Sequence, residues 1–181
     1  IGGLPRDLIL LGTRLRRAGT SASRLRREID KISESPADVL EQGYASLSSS
    51  VEALSDEARQ AFRTIALLPP EPNTFSEAAG DAIVGDLAYL DELVDYSLLK
   101  VDNERYTLHP SFAEYARAYL ELDEAAPESI VDYYLEYAQK HAKDYNALAR
   151  ESRNIEAALQ IAADQHLDEV LVKAVLALAT F

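Results

Sequence analysis

Two short apolar segments around an Asp-Asn-Glu turn, followed directly by a proline, constrain the fold of this chain more than any other feature. The alternation of apolar and polar residues in 105–108 predicts a β-strand, and residues 97–101 predict the strand that pairs with it. The turn at 102–104 makes this pair an antiparallel hairpin. Pro110 favours the first position of a helix, where its missing N–H leaves no hydrogen bond unmade. We therefore expect a strand that leads into a helix, with His109 at the helix N-cap.

Helix signals precede the hairpin. Ser55 is followed by two acidic residues and predicts a helix start, and the proline cluster at 69–72 predicts a firm stop. Thr74 and Glu77 have the spacing of a capping box, which predicts a second helix with Thr74 as its N-cap. Asp86 predicts the N-cap of a third helix. The order helix, helix, helix, hairpin, helix is that of a winged-helix domain, a variant of the helix-turn-helix group.

Both ends of the chain also show helical periodicity, and near the start it covers residues 6–18 and a second segment with Leu25, Ile29 and Ile32. Residues 128–148 and 154–165 each place apolar residues on one face, with the small contact residues typical of helix hairpins of the tetratricopeptide kind. The expected fold class is mainly α: a helical subdomain over 1–50, a winged helix with a small β-hairpin over 51–125, and tetratricopeptide-like helices over 126–181. We expect the first part to be truncated, because the chain begins with Ile and contains no Met. We expect the last part to be truncated as well, because further repeats would be needed to cover the apolar run 170–181.

Charge is distributed unevenly along the chain, whose formal net charge is −13. Residues 1–31 hold eight Arg and Lys against three Asp and Glu, whereas the remaining residues hold ten against twenty-eight. An acidic body repels nucleic acid and anionic membrane surfaces. The basic segment either meets phosphate or docks on the acidic body, and its charge pattern favours docking.

The residue types exclude several classes of site. The chain has no Cys, which excludes a disulfide framework and a cysteine nucleophile and fits a cytoplasmic protein. No apolar run approaches the length of a membrane span. His141 and His166 lack metal-ligand spacing with each other and with His109, and no serine lies in a nucleophile-elbow pattern. We therefore expect neither a metal site nor catalysis in this chain.

His109 is the candidate binding residue that the local pattern supports. A helix N-terminus presents backbone N–H donors and the positive end of the helix dipole, so a histidine at the N-cap can meet an anion, a phosphate above all. The alternative is that the imidazole only caps its own helix or packs in a partly buried corner. The spacing leaves both open.

Five motifs in series resemble the C-terminal half of a bacterial NB-ARC-type signalling ATPase of the STAND class. Residues 2–5 (GGLP) resemble the GLPL motif that opens that family's first helical subdomain. Residues 55–69 (SDEARQAFRTIALLP) resemble the helix that enters its winged-helix subdomain, and residues 90–99 resemble the remainder of that subdomain. Residues 108–110 (LHP) lie where the family carries its MHD motif, and residues 151–159 (ESRNIEAAL) resemble the opening of a tetratricopeptide region.

In that family the GLPL proline packs against the adenine of bound nucleotide, and the MHD histidine contacts the β-phosphate of ADP and holds the closed, inactive state. The resemblance implies a nucleotide-sensing role for His109 and for Pro5, with Gly3 and Leu4 in the same motif. It also implies ADP or ATP with Mg in the whole protein, a nucleotide-binding core in cis, and a protein effector that contacts the repeats.

The chain departs from the family at two motif positions and has no ATP-hydrolysing loop. Arg6 replaces the second leucine of GLPL, and Pro110 replaces the MHD aspartate, a carboxylate that braces the histidine. No GxxxxGK(S/T) loop occurs in the chain, so it is not expected to be an ATPase by itself.

Two other functions are open from the sequence. A DNA-binding transcription regulator is the usual role of a winged helix, but the would-be recognition helix, 86–96, carries four acidic residues and no Lys or Arg, which disfavours DNA. A helical scaffold for protein partners would use Tyr133, Tyr134, Tyr137 and Tyr145 as its contact face. Their helical spacing favours packing between helices over such a face.

Overall fold

Helices of 8 to 20 residues and a three-stranded antiparallel sheet make up the computed structural model of this protein, which describes residues 47–167 and 171–173. In chain order the elements are α1 (Asp56–Ile65), β1 (Phe75–Ser76), α2 (Glu77–Val84), α3 (Leu87–Asp95), β2 (Leu99–Asp102), β3 (Arg105–Leu108), α4 (Pro110–Tyr119), α5 (Ala126–Lys140) and α6 (Tyr145–Asp164). Residues 47–52 and 171–173 are also helical. The expectation of a mainly helical chain with a small sheet is confirmed.

Capping side chains set where the first helices begin and end. Ser55 Oγ accepts a hydrogen bond from Ala58 N at 3.2 Å, and the same hydroxyl donates to Glu92 Oε2 at 2.8 Å, which ties α1 to α3. Helix α2 ends at Gly85, whose φ of 81° is a left-handed value that glycine adopts without strain. Asp86 then caps α3, since its Oδ1 accepts a hydrogen bond from Ala88 N at 2.8 Å. The predicted starts of α1 and α3 are confirmed.

The predicted capping box at Thr74 is wrong. The two residues after Thr74 form β1, which pairs with β3, so the helix begins only at Glu77. Its N-cap is Ser76, whose side chain accepts from Ala79 N at 3.2 Å. Thr74 instead accepts a hydrogen bond from Arg105. Pairing with β3 prevails over the local capping pattern. The sequence pattern did not reveal this pairing because β3 lies about thirty residues further along the chain.

The hairpin lies where it was predicted, and β1 adds a third strand. The sheet order is β1-β3-β2, with both pairings antiparallel. Asp102 opposes Arg105, so the turn consists of Asn103 and Glu104, whose φ values are 48° and 60°. Positive φ at both positions matches the twist of the two strands. Strand β2 begins two residues later than predicted, because Ser97 has a φ of 59° and is not extended.

The two predicted C-terminal helices, 128–148 and 154–165, are wrong in extent. The helical structure is interrupted at 141–144, between α5 and α6, and residues 149–153, which were predicted to separate the two helices, lie within α6. Asp144 causes the break, since its Oδ1 accepts from Ala147 N at 3.1 Å and caps α6. Apolar residues on both sides of the break hid this cap in the sequence.

A single apolar core runs through the described elements. It includes residues from α1, α3, β3, α5 and α6, among them Phe62, Ile65, Leu90, Leu93, Tyr106, Leu108, Ile130, Tyr134, Leu148, Ile155 and Ala158. Because α5 and α6 share this core with the sheet, the C-terminal helix pair packs directly on the body that carries the hairpin.

Gly80 in α2 shows how closely this core is packed. A Cβ at this position would overlap Leu90 Cδ1 and lie 3.3 Å from the Phe75 ring, and both of these side chains are buried. We expect Gly80→Ala to lower the free energy of unfolding by about 1–3 kcal/mol in urea titrations, although alanine is the better helix former. Ala78→Gly, an exposed change in the same helix, measures the propensity effect alone. A more stable Gly80→Ala protein would contradict the packing.

Most of the predicted N-terminal subdomain, 1–50, lies outside the described residues, as does the end of the chain after Lys173. Among the described helices, none is both long enough and apolar enough to cross a membrane.

Candidate functional site

His109 lies half-buried at the junction of β3 and α4 and caps α4, as predicted. Its Nδ1 accepts a hydrogen bond from Ser111 N at 3.2 Å and lies 2.8 Å from Ser111 Oγ. The ring also packs against buried Phe112, with ring centroids 5.4 Å apart. The extended backbone, the cap and the aromatic neighbour together hold the imidazole in one orientation.

This geometry favours one tautomer of the neutral ring. The backbone N–H of Ser111 points at Nδ1, and the tautomer that accepts it carries its hydrogen on Nε2. The backbone donors of the first turn are engaged internally, since Phe112 N and Ala113 N donate to His109 O at 3.0 and 3.1 Å. The backbone N–H donors expected beside His109 therefore already have acceptors within the turn. An anion at this corner would be bound by the imidazole and the helix dipole.

A second group of polar side chains, which we call the Arg105 cluster, lies where the sheet meets α6. Its members are Asn73, Thr74, Arg105, Glu151 and Asn154. Arg105 Nη1 donates to Glu151 Oε1 at 2.6 Å, and its Nε and Nη2 donate to Thr74 Oγ1 at 2.6 Å and Thr74 O at 2.9 Å. Asn154 Nδ2 donates to Glu151 Oε2 at 2.7 Å and to Thr74 O at 2.9 Å. Asn73 Nδ2 donates to Asn154 Oδ1 at 2.6 Å.

Burial makes this cluster structurally important. Glu151 is 3% exposed and Asn154 is 0% exposed. A carboxylate so far from water is stable only with a cation and further hydrogen bonds, and here each oxygen has a donor. The cluster therefore joins α6 to strand β3, which reaches His109 four residues after Arg105.

Sequence reasoning missed the Arg105 cluster, although it singled out residues 151–159. The available signal was the position of Glu151 within the apolar stripe of α6. It lies three residues after Leu148 and four before Ile155, both buried, and therefore on the same helical face. A charged residue in such a stripe predicts a buried partner of opposite charge, but nothing local identifies Arg105 as that partner.

The tyrosines of α5 serve mainly in packing. Tyr134 is fully buried, Tyr133 and Tyr137 are half-buried, and Tyr145 at the start of α6 is exposed. Burial raises the pKa of Tyr134 far above its usual range, and the negative charge of Glu151 raises it further. Among the described residues, Tyr134 Oη has no hydrogen-bond partner. A protein partner would therefore reach only part of the contact face predicted for these tyrosines.

The other predicted site residues, Gly3, Leu4 and Pro5, lie outside the described residues. Within 47–167 and 171–173, no three His, Asp or Glu side chains come together as a set of metal ligands. No family model, curated protein or solved structure matches this chain.

Proposed function

We propose that this chain is the regulatory part of a nucleotide-switched signalling ATPase similar to the STAND class, a cytoplasmic protein in which His109 senses the bound nucleotide. The observation that carries the proposal is the capping geometry of His109. Its Nδ1 accepts from Ser111 N, the tautomer that fits this contact carries its hydrogen on Nε2, and the ring lies at the positive end of α4. A phosphate oxygen is the acceptor that suits such a donor best.

The order of elements supports a winged helix over 51–125. Three helices alternate with β1 and the hairpin, and the hairpin strand β3 lies between β1 and β2. The short connection between α5 and α6 and their shared core support a tetratricopeptide-like helix pair within 126–181. In this proposal a nucleotide-binding core in cis holds ADP or ATP with Mg, with Pro5 against the adenine and Gly3 and Leu4 beside it.

In this proposal Ser111 orients the imidazole in place of the MHD aspartate, which this chain lacks. Pro110 stands at the aspartate position and has no side-chain acceptor for the imidazole. The next residue, Ser111, holds Nδ1 through its backbone N–H at 3.2 Å and places its hydroxyl 2.8 Å away. The histidine is therefore oriented from its Nδ1 side without a carboxylate.

The energy available from this contact suits a switch. A hydrogen bond from histidine to a charged phosphate contributes about 1.5–3 kcal/mol, or about ten- to a hundred-fold in an equilibrium between closed and open states. The Arg105 cluster supplies the connection to the repeats, because it fixes α6 to the strand that leads into His109. A change in the position of His109 would therefore move the helix pair with it.

We expect His109→Ala, in the protein that carries the nucleotide-binding core, to release ADP about ten to a hundred times faster than the unmodified protein. Displacement of a fluorescent ADP analogue measures this rate. His166→Asn is the matched control, because His166 is exposed and its φ of 57° is a value that asparagine tolerates. An unchanged ADP release rate in His109→Ala would overturn the proposal and leave His109 with its capping role alone.

DNA binding and a scaffold function are the alternatives, and the exposed surface of α3 disfavours the first. Asp91 and Asp95 are exposed on this helix, which has no Lys or Arg. Such a surface repels the DNA backbone. Glu92 is engaged by Ser55 and is therefore not available to read bases. The scaffold alternative is compatible with nucleotide sensing, since the repeats would carry the protein partner.

A further inference from the structure

We infer that the arginine-rich segment 14–27 of this chain docks in an acidic groove between α1, α4 and the loop that follows α4. The groove has a volume of about 840 Å³ and extends from Ser48 to Glu124. This inference does not depend on nucleotide sensing, because it concerns the opposite end of α4 from His109.

The side chains of the groove suit a guanidinium group. Five carboxylates line it against the single guanidinium of Arg59; they are those of Glu52, Asp56, Glu121, Asp123 and Glu124. Arg59 is already engaged, since its Nη1 lies 3.2 Å from Asp56 Oδ1. Tyr119 is 57% exposed in the wall and packs against Tyr115 with ring centroids 5.0 Å apart. Carboxylates beside an exposed aromatic face are the groups on which arginine forms ion pairs and stacks.

The segment 14–27 has the complementary charge. It contains six Arg and no Asp or Glu, whereas the chain as a whole has a net charge of −13. Opposite charges at this density attract each other most strongly when salt is low.

The tether makes the groove accessible to this segment. Nineteen residues, 28–46, separate it from residue 47, and Ser48 already lines the groove. Nineteen extended residues span up to about 60 Å, so length is no obstacle. Docking would therefore be intramolecular, so several weak contacts can act together without the cost of bringing two molecules into contact.

Paramagnetic relaxation tests the docking in the whole chain, which has no native Cys to interfere. A nitroxide attached to Glu124→Cys, in the groove, should remove the amide signals of residues 14–27 in a ¹⁵N-labelled sample. The same label on Asp102→Cys, exposed at the hairpin, should leave these signals unchanged. The triple variant Arg24→Glu, Arg26→Glu, Arg27→Glu should restore the signals, and so should 1 M salt, where the Debye length is about 3 Å.

Four results would overturn the inference. The first is the absence of any signal loss from the groove label, and the second is equal loss from both label positions. The third is signal loss in a mixture of ¹⁵N-labelled chains without nitroxide and unlabelled chains with it, because the groove would then receive a second copy. Persistence of the loss in the triple variant would likewise show that the arginines do not hold the segment in place.

Discussion

Arg105→Ala is expected to lower the free energy of unfolding by about 3–5 kcal/mol, because it leaves the Glu151 carboxylate buried without its cation. Glu151 is 3% exposed, so its carboxylate lies far from bulk water. The substitution also removes two donors from Thr74, and with them the link between the loop before β1 and strand β3. Urea unfolding followed by circular dichroism measures the loss.

Lys100→Ala is the matched control for this substitution. Lys100 lies on the adjacent strand β2 and is 3.9 Å from Glu71, but the two side chains are 72% and 45% exposed. An exposed pair of this kind contributes about 0–1 kcal/mol. Equal losses from Arg105→Ala and Lys100→Ala would show that burial of the Arg105 cluster has no energetic consequence.

The double variant Arg105→Leu, Glu151→Leu distinguishes the stabilisation that the ion pair provides from the cost of leaving the Glu151 carboxylate buried without a cation. If the cost of Arg105→Leu comes mainly from an unpaired carboxylate, removal of Glu151 as well should recover part of the lost stability. Strictly additive losses would instead mean that the two side chains stabilise the protein independently. The double variant is informative because the two residues meet directly at 2.6 Å.

The parts of the fold that depend on local chemistry were predictable. The hairpin, the cap at Ser55 and the cap at Asp86 each depend on residues next to one another in the chain, and the structure shows all three, with the predicted turn 102–104 shortened to Asn103 and Glu104. His109 belongs to the same group, because the proline after it marks the helix start. Their signals are strong since few other conformations satisfy the same residues.

The parts that depend on distant partners were not predictable from spacing. Thr74 has the pattern of a helix cap, yet it accepts hydrogen bonds from Arg105 and Asn154, which lie 31 and 80 residues further along the chain. The Arg105 cluster has no motif, because its members come from three separate segments. Of the candidate site, sequence analysis therefore identified His109 but neither the connection that joins it to α6 nor the internal engagement of the backbone donors beside it.

Substitutions at Tyr134 should change stability in opposite directions. Tyr134→Ala removes a fully buried ring from the core and is expected to cost about 3–5 kcal/mol. Tyr134→Phe keeps the ring and removes only the hydroxyl, whose oxygen is buried without a partner among the described residues. Because an unsatisfied buried polar group costs about 1–3 kcal/mol, Tyr134→Phe should raise the free energy of unfolding by a comparable amount. A loss of stability in Tyr134→Phe would show that the hydroxyl has a partner in solution.

The burial of Tyr134 should also make the stability of the protein depend on pH in the alkaline range. The pKa of Tyr134 is raised from the ordinary value of 10.0, chiefly by burial and then by the charge of Glu151, so the folded protein keeps this proton where the unfolded chain loses it. The contribution of Tyr134 to stability is therefore fully present below pH 10 and declines as the pH rises above it. Urea titrations between neutral pH and pH 11 should show a shallower decline for Tyr134→Phe than for the unmodified protein. Tyr145→Phe, at an exposed tyrosine, should follow the unmodified protein, and an identical decline in all three proteins would mean that Tyr134 ionises as freely in the folded state as in the unfolded one.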